Sequence, residues 1–209
     1  MAANRKVWCC GWPGRDADGP WLTEEDHGGV TALPELDARL DSILLSPRQL
    51  ANRMRELGIK IAGDYAAVER LHVLGVLKGA FVFMADLGRC VRQAGGPATE
   101  FHFIRTVTYG DAIKGPGETD RCVRIEGMTQ SLRGCDVLLV EDILDQGFTL
   151  SALRRHLVED HGVLSVRLCV LLSKCLDAPT PSVAHLREML IPDYIGFEVP
   201  DRWVAGCGL

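Results

Sequence analysis

Residues 137–149 read VLLVEDILDQGFT, and these residues give the clearest indication of the fold class. The continuous apolar run Val137–Val140 is typical of a strand that is buried on both faces of a sheet. Two adjacent acids follow the run, and a third acid, Asp145, precedes the glycine of a turn. From Thr149 to Asp160, leucines recur at helical spacing, and a glycine follows closely. The stretch therefore predicts a buried strand, an acidic turn and an amphipathic helix.

The same alternation of strands and helices extends to both sides of this stretch. The elements predicted from apolar runs and caps are strands at 71–77, 101–107 and 166–172 and helices that begin at Ser46-Pro47 and at Ala80. This order implies an α/β fold with a doubly wound, mostly parallel sheet that is flanked by helices and joined by right-handed crossovers. Ligands of such sheets bind beyond the carboxyl ends of the strands, where the acidic turn and the Lys78-Gly79 turn both lie.

The length of 209 residues predicts one ordinary domain, or one domain with a small appendage. Residues 1–35 mix Trp, Pro, Gly and acidic residues without a sustained period, which indicates an irregular N-terminal arm. The predicted domain then covers residues 36–209. Residues 108–121 hold three glycines, a proline and five charged residues, which is typical of a mobile loop.

Composition and charge exclude several classes of protein. The net charge of −5 argues against an extended basic surface for nucleic acid. No apolar run is long enough to cross a bilayer and no secretory signal is visible, so we expect a cytoplasmic protein without nucleic-acid or membrane partners. The eight cysteines lack paired metal-binding spacing, and several lie in apolar runs. We expect them to be reduced core thiols.

Taken alone, the acidic turn is also explained by a solvated loop whose acids cap the next helix. Its order of residues, however, resembles the signature of the phosphoribosyltransferases: an apolar strand, two acids, two apolar residues, Asp, a small polar residue, Gly, any residue and Thr. Further blocks resemble that family in the family's order. They are the pyrophosphate-binding turn at 76–79, the flexible lid at 108–110, the purine-reading lysine at Lys174 and the base-binding hood at 192–206. Together the blocks resemble the hypoxanthine-guanine branch.

The resemblance implies a reaction of purine salvage. In that reaction hypoxanthine or guanine attacks the sugar of phosphoribosyl pyrophosphate, which gives IMP or GMP and releases pyrophosphate. Mg²⁺ is the implied cofactor, because a hard dication stabilises the departing pyrophosphate. The resemblance also implies a homodimer or homotetramer, and a small hood that is made from the chain ends, with a contribution from about residues 190–209.

The resemblance assigns roles to the acidic stretch. Glu141 and Asp142 orient the ribose hydroxyls, directly or through Mg²⁺. Asp145 is the implied catalytic residue, since it takes the purine proton from the second imidazole nitrogen as a general base or hydrogen-bond acceptor. The 5′-phosphate is bound by backbone amides of the turn and by the Thr149 hydroxyl. The implied phosphate-binding residues are Asp145, Gln146, Gly147, Phe148 and Thr149.

The other blocks have implied roles around the pyrophosphate and the purine. Leu77, Lys78 and Gly79 contact pyrophosphate, in a turn where the family often has a cis peptide that does not precede proline. Lys174 donates to the 6-oxo group, Trp203 stacks on the purine, and the Val204 carbonyl accepts from the 2-amino group of guanine. The lid residues Thr108 and Tyr109 close over the sugar and exclude water. Without the resemblance, Lys174 is simply a solvent-exposed lysine and Trp203 a core residue.

The sequence departs from the family pattern in several places. Gln146 stands where Thr or Ser is usual, Phe148 replaces a small or basic residue, and Thr108 replaces Ser. Family members continue past the Gly-Leu seen here as Gly208-Leu209 with an Asp for magnesium and pyrophosphate and then an Arg. These departures leave open an alternative, a catalytically weak or inactive homologue that binds purine nucleotide. An RNA-binding regulator of the same fold fits poorly, because the chain is acidic.

Overall fold

The fold is that of a computed structural model, which describes residues 5–7, 42–108, 123–127 and 130–209. The strands are β1 (Arg5–Val7), β2 (Ser42–Ile43), β3 (Arg70–Leu77), β4 (Ala98–Thr108), β5 (Val123–Glu126), β6 (Asp136–Leu144), β7 (Ser165–Cys175), β8 (Tyr194–Pro200) and β9 (Trp203–Ala205). The helices are α1 (Pro47–Asp64), α2 (Ala80–Gln93), α3 (Phe148–Glu159) and α4 (Pro181–Met189). Within these ranges, no helix combines the length and the apolar character that a membrane span needs.

The main sheet has six strands in the order β5-β4-β3-β6-β7-β8. Its strands run parallel except for the antiparallel pair of β4 and β5. One buried cluster combines residues of α1 and α2 with one face of the sheet, and a second cluster combines leucines of α3 with the other face. Helices therefore cover both faces, which confirms the predicted doubly wound, mostly parallel α/β fold.

A second, small sheet joins the beginning of the chain to its end. β1 pairs in parallel with β2 on one side and with β9 on the other. Three residues of the arm that we predicted to be irregular, Arg5–Val7, therefore form a regular strand. The rest of that arm lies outside the described residues.

The predicted N-terminus of α1 is confirmed by its capping box. The Ser46 hydroxyl accepts a hydrogen bond from the Gln49 amide at 3.3 Å, and the Ser46 amide donates to Gln49 Oε1 at 2.9 Å. Pro47 occupies the first turn, where its missing N–H costs nothing. The buried residues of α1, such as Leu57 and Ile61, then belong to the same core cluster as α2.

The strand that carries the acids is longer than predicted. We expected it to end at Val140, but β6 continues to Leu144, so that Glu141 and Asp142 belong to the strand and the turn begins at Asp145. Pairing with β7 explains the extension, because Glu141 is in register with Val170 and Leu144 with Ser173. Acidic residues alone predict a loop, whereas a paired neighbouring strand keeps the backbone extended.

The prediction that the cysteines are reduced is confirmed for four of the described cysteines and is wrong for one, Cys207. Cys90, Cys135, Cys169 and Cys175 are free thiols. Burial raises the pKa of the Cys90 and Cys169 thiols, which makes them unreactive. Cys207 instead forms a disulfide bond.

Candidate active site

Three of the predicted blocks meet at one edge of the main sheet. β3 ends at Leu77, β6 at Leu144 and β7 at Cys175, and these strands are neighbours that run in the same direction. Directly after β3, the Leu77–Lys78 peptide bond is cis, as the resemblance implied. This edge is where an open α/β sheet binds its ligands.

The turn after β3 is in close contact with the acids of β6. A Cβ atom at Gly79 would lie 1.7 Å from Asp142 Oδ2, so any larger residue at this position would displace the carboxylate. The other oxygen, Asp142 Oδ1, accepts a hydrogen bond from the Ile143 amide at 2.8 Å. On its far side the turn meets the chain's end, since a Cβ at Gly208 would lie 2.4 Å from the Gly79 carbonyl oxygen. The turn at 78–79 and the acidic strand are therefore one packed unit.

Glu141 and Asp142 form a carboxyl pair that is largely shielded from water. Burial raises the pKa of Glu141 well above its ordinary value, and its neighbour Asp142 raises it further. Burial also raises the pKa of Asp142, although hydrogen bonds from Glu141 and the Ile143 amide act in the opposite direction. Glu141 Oε2 is buried and has no hydrogen-bond partner among the described residues. Burial therefore disfavours the charged form of both carboxyls, and a cation or a ligand hydroxyl beside them would offset this effect.

The turn after β6 leads directly into α3. Gly147 lies at the N-cap with a φ of 93°, a left-handed conformation that glycine adopts without strain. No described side chain caps the helix, so its first amides remain available to a ligand. An uncapped helix N-terminus preceded by a glycine turn suits a phosphate group.

Asp145, in this turn, is in contact with Lys174 at the end of β7. Lys174 Nζ lies 3.5 Å from Asp145 Oδ2 and 3.3 Å from Asp201 Oδ1. The Lys174 side chain is mostly buried, with 14% exposed, whereas half of the Asp145 side chain is exposed. The structure thus brings together the predicted catalytic acid and the predicted purine-reading lysine.

Residues 42–208 match the family model of the phosphoribosyl transferase domain. This match covers most of the chain and includes every block of the site described above. The chain belongs to the phosphoribosyltransferase family.

Individual relatives narrow the family to a branch. The chain is 35% identical to the hypoxanthine-guanine phosphoribosyltransferase of Mycobacterium tuberculosis over 176 residues, which cover 81% of this chain and 79% of that protein. It is 36% identical to the hypoxanthine phosphoribosyltransferase of Haemophilus influenzae over 171 residues, which cover 80% and 86% of the two chains. A hypoxanthine phosphoribosyltransferase structure from Staphylococcus aureus superposes with a TM-score of 0.67 at 28% identity, covering 85% of this chain and 88% of the other. The chain therefore belongs to the hypoxanthine-guanine branch of the phosphoribosyltransferases.

The remaining predicted residues of the phosphoribosyltransferase site are placed as follows. Trp203 lies in β9 with 67% of its surface exposed, so the alternative that Trp203 is a core residue is wrong. Val204 is buried. Gln146 is exposed in the turn, and Phe148 and Thr149 are half-buried in the first turn of α3. Thr108 is the last residue of β4. Tyr109 lies outside the described residues.

Sequence reasoning missed a residue that links the two halves of this phosphoribosyltransferase site. Arg187, on α4, donates from Nη1 to the carbonyl oxygens of Leu144, at 2.9 Å, and of Asp145. Its Nη2 donates to Ser173 Oγ and to the Lys174 carbonyl oxygen, each at 3.0 Å. Arg187 thereby fixes the ends of β6 and β7 relative to each other. Thr180-Pro181 has the residue types of a helix start, but this pattern does not indicate which face of α4 meets the site.

Asp201 was also missed as an individual residue. It follows β8, the neighbour of β7 on the side away from β6, and contacts Lys174. In the sequence it stood only as part of the block that resembles the hood. Because Lys174 has two acidic neighbours, its ammonium group is held in place before a ligand arrives.

Proposed function

We propose that the chain transfers the phosphoribosyl group from phosphoribosyl pyrophosphate to hypoxanthine or guanine, which gives IMP or GMP and pyrophosphate. The observation that carries this proposal is the contact of Asp145 with Lys174 at 3.5 Å. It joins a proton acceptor and a cationic donor at the edge of the sheet where the phosphate-binding turns also lie. The names and the similarity of the relatives support the same reaction.

The contact fits one edge of a 6-oxopurine. The 6-oxo group and the second imidazole nitrogen are neighbours on the purine, so an acceptor and a donor that lie side by side can bind both. Lys174 donates to the 6-oxo oxygen, and Asp145 accepts the proton of the imidazole nitrogen as the other nitrogen attacks the sugar. Adenine has an amino group at position 6, which places a donor opposite the Lys174 ammonium. The arrangement therefore selects 6-oxopurines.

The phosphate groups then lie over the two strand-to-helix turns. Leu77, Lys78 and Gly79 contact the pyrophosphate, and the amides from Asp145 to Thr149 bind the 5′-phosphate. Because the pyrophosphate and the 5′-phosphate are both bound, the sugar's anomeric carbon is held against the attacking nitrogen.

Glu141 and Asp142 fit the magnesium requirement that we propose. They provide hard oxygen donors, and the buried Glu141 Oε2 has no partner among the described residues. Bound Mg²⁺ neutralises charge on the departing pyrophosphate. The two carboxylates orient the ribose hydroxyls, and Asp142 additionally lies against the pyrophosphate turn at Gly79.

The remaining parts of the proposal concern the purine pocket and the assembly. The exposed Trp203 ring stacks on the purine, and the Val204 carbonyl accepts from the guanine amino group. Thr108 and Tyr109 close over the sugar. Assembly as a homodimer or homotetramer and a cytoplasmic location stay predictions of the sequence.

The test is product formation from phosphoribosyl pyrophosphate and Mg²⁺ with hypoxanthine, guanine and adenine in parallel. We expect IMP and GMP but no AMP. The alternative, an inactive homologue, predicts that IMP binds while a single-turnover experiment with excess protein yields no product. Transfer to adenine at the rate of hypoxanthine would contradict the assigned role of Lys174.

A further inference from the structure

A cluster of metal-ligating side chains lies away from the proposed active site. Among the residues that the structure describes, His72 on β3 and Glu100 and His102 on β4 bring one ligand atom each to within 4.8 Å of one another. Parallel pairing explains the cluster, because His72 is in register with Glu100, and His102 follows Glu100 on the same face of β4. The cluster therefore belongs to two adjacent, paired strands and not to a loop.

Two separations within the cluster bracket those of a tetrahedral metal site, and the third is below 4.8 Å. His72 Nδ1 lies 3.0 Å from His102 Nε2, and His102 Nε2 lies 3.7 Å from Glu100 Oε1. Ligands at about 2.0–2.2 Å from a tetrahedral zinc ion are roughly 3.3–3.6 Å apart. Small side-chain rotations are enough to place the three atoms around one ion.

The ion pair beside the cluster leaves one carboxylate oxygen for the metal. Arg70 Nη1 binds Glu100 Oε2 at 2.9 Å, whereas the oxygen that faces His102 is Oε1. The Arg70 side chain is 60% exposed, so water screens its charge from a bound cation. Arg70 thus orients the carboxylate without occupying the ligand oxygen.

A second histidine pair in the chain lacks this arrangement. His156 Nε2 lies 3.1 Å from His161 Nε2, but the nearby carboxylate of Asp160 contacts His156 at Nδ1, on the other side of the ring. The third donor therefore points away from the position where both imidazoles converge. This pair serves as a matched control, because it also combines two histidines with a carboxylate, but the carboxylate does not converge with both rings.

We propose that His72, Glu100 and His102 bind a divalent transition-metal ion, with Zn²⁺ as the ion that this donor set fits, in a three-ligand site with an open fourth position. Two imidazoles favour Zn²⁺ over Mg²⁺, which prefers oxygen ligands. His72 precedes Leu77 by five residues, so the site lies roughly 16 Å from the turn that we assign to pyrophosphate. The bound ion crosslinks the first halves of β3 and β4, and this inference does not depend on the proposed transferase activity.

The experiment is a zinc titration of the full chain after chelator treatment, with a competing chromophoric chelator as the readout. We expect one equivalent of Zn²⁺ to bind and to raise the melting temperature by a few degrees, because the ion binds the folded state. Co²⁺ in place of Zn²⁺ should give intense visible bands of low-symmetry, four- or five-coordinate geometry without the near-ultraviolet bands of a thiolate ligand. The His102→Gln and Glu100→Gln variants should each bind Zn²⁺ more than about tenfold more weakly, a loss that even an outer-shell change can produce.

Controls make each outcome decisive. His156→Gln should bind Zn²⁺ like the unmodified chain. If it loses as much affinity as His102→Gln, or if a thiolate band accompanies Co²⁺, the ion binds elsewhere and the proposal is wrong. Unchanged binding in Glu100→Gln and His102→Gln also overturns it, as does the absence of binding to the unmodified chain. Near-ultraviolet circular dichroism of each metal-free variant shows whether it is folded. If His102→Gln does not fold, Glu100→Gln still tests the site, because it keeps the shape of the side chain.

Discussion

Glu141 and Asp142 differ sharply in their surroundings from Asp145, although all three acids lie in one short stretch of chain. The first two belong to β6, share a hydrogen bond and have raised pKa values because burial disfavours their charged forms. Asp145 lies in the turn, with half of its side chain exposed and Lys174 Nζ at 3.5 Å. One stretch therefore supplies a buried carboxyl pair whose charged forms are disfavoured and a carboxylate that has a lysine beside it.

The difference shows how a strand end can separate chemical roles. Carboxyls in contrasting environments perform different tasks, because burial and neighbouring charges set which form is populated. Up to Leu144 the backbone is paired with β7, and beyond it the chain is free to present side chains to solvent.

The first prediction concerns the exposed member of the comparison. Asp145→Asn should lower kcat by about two orders of magnitude or more with little change in stability, because it removes a proton acceptor and preserves shape. The measurement is steady-state turnover with hypoxanthine at saturating phosphoribosyl pyrophosphate, together with a thermal melt. Asp177→Asn, at an exposed position after β7, is the matched control and should leave turnover unchanged. Equal turnover of Asp145→Asn and the unmodified chain would remove Asp145 from the mechanism.

The second prediction concerns the cation that accompanies Asp145. Lys174→Ala should raise KM for hypoxanthine by about tenfold or more, since a buried donor to a carbonyl oxygen is lost. Binding of phosphoribosyl pyrophosphate alone, measured by calorimetry, should be nearly unchanged. A similar loss for both ligands would show that Lys174 supports the structure and does not read the purine.

The third prediction concerns the arginine that fixes the geometry between Asp145 and Lys174. Arg187→Ala should lower kcat by about tenfold, because a misplacement of the two groups reduces catalysis even when both are present. Arg187→Lys should recover part of the loss, since an ammonium can reach some of the four acceptors. Turnover and KM are measured for both variants, with Arg154→Ala on the exposed side of α3 as control. A loss of stability without a change in kcat would make Arg187 a purely structural residue.

Sequence patterns correctly predicted the helix starts and strands whose signals lie within a few neighbouring residues. Ser46-Pro47 marked the start of α1, apolar runs marked β3 and β7, and the order of elements indicated a parallel sheet. The resemblance to the family pointed to the cis peptide at Leu77–Lys78. In each of these places the information lies within a few adjacent residues.

Features that depend on distant partners were missed. The extension of β6 to Leu144 results from pairing with β7. The contacts of Arg187 join α4 to Leu144 and Asp145, which lie 43 and 42 positions earlier in the chain. The disulfide of Cys207 was missed as well, since no spacing rule marked it. Such contacts exist only after the sheet has formed, so neither periodicity nor turn chemistry can reveal them.

The fourth prediction concerns the buried member of the comparison and has the smallest expected effect. Glu141→Gln should raise the melting temperature at neutral pH by a few degrees in the absence of Mg²⁺, because the amide keeps the shape but cannot ionise. Burial raises the pKa of Glu141 above that of the unfolded chain, about 4.3, so the folded state holds this proton more tightly. The unmodified chain therefore loses stability as the pH rises from about 4.3 through the raised pKa, and the variant does not.

Thermal melts between acidic and neutral pH measure this difference. The melting temperatures of the two chains should converge at the acidic end and separate as the pH rises. Glu188→Gln, the same substitution at an exposed position of α4, should follow the unmodified chain throughout. Mg²⁺ with pyrophosphate should then stabilise the unmodified chain more than Glu141→Gln, because a bound cation favours the carboxylate. A variant that is less stable than the unmodified chain at neutral pH would show that Glu141 is already ionised and well satisfied, and the contrast between the buried pair and Asp145 would no longer hold.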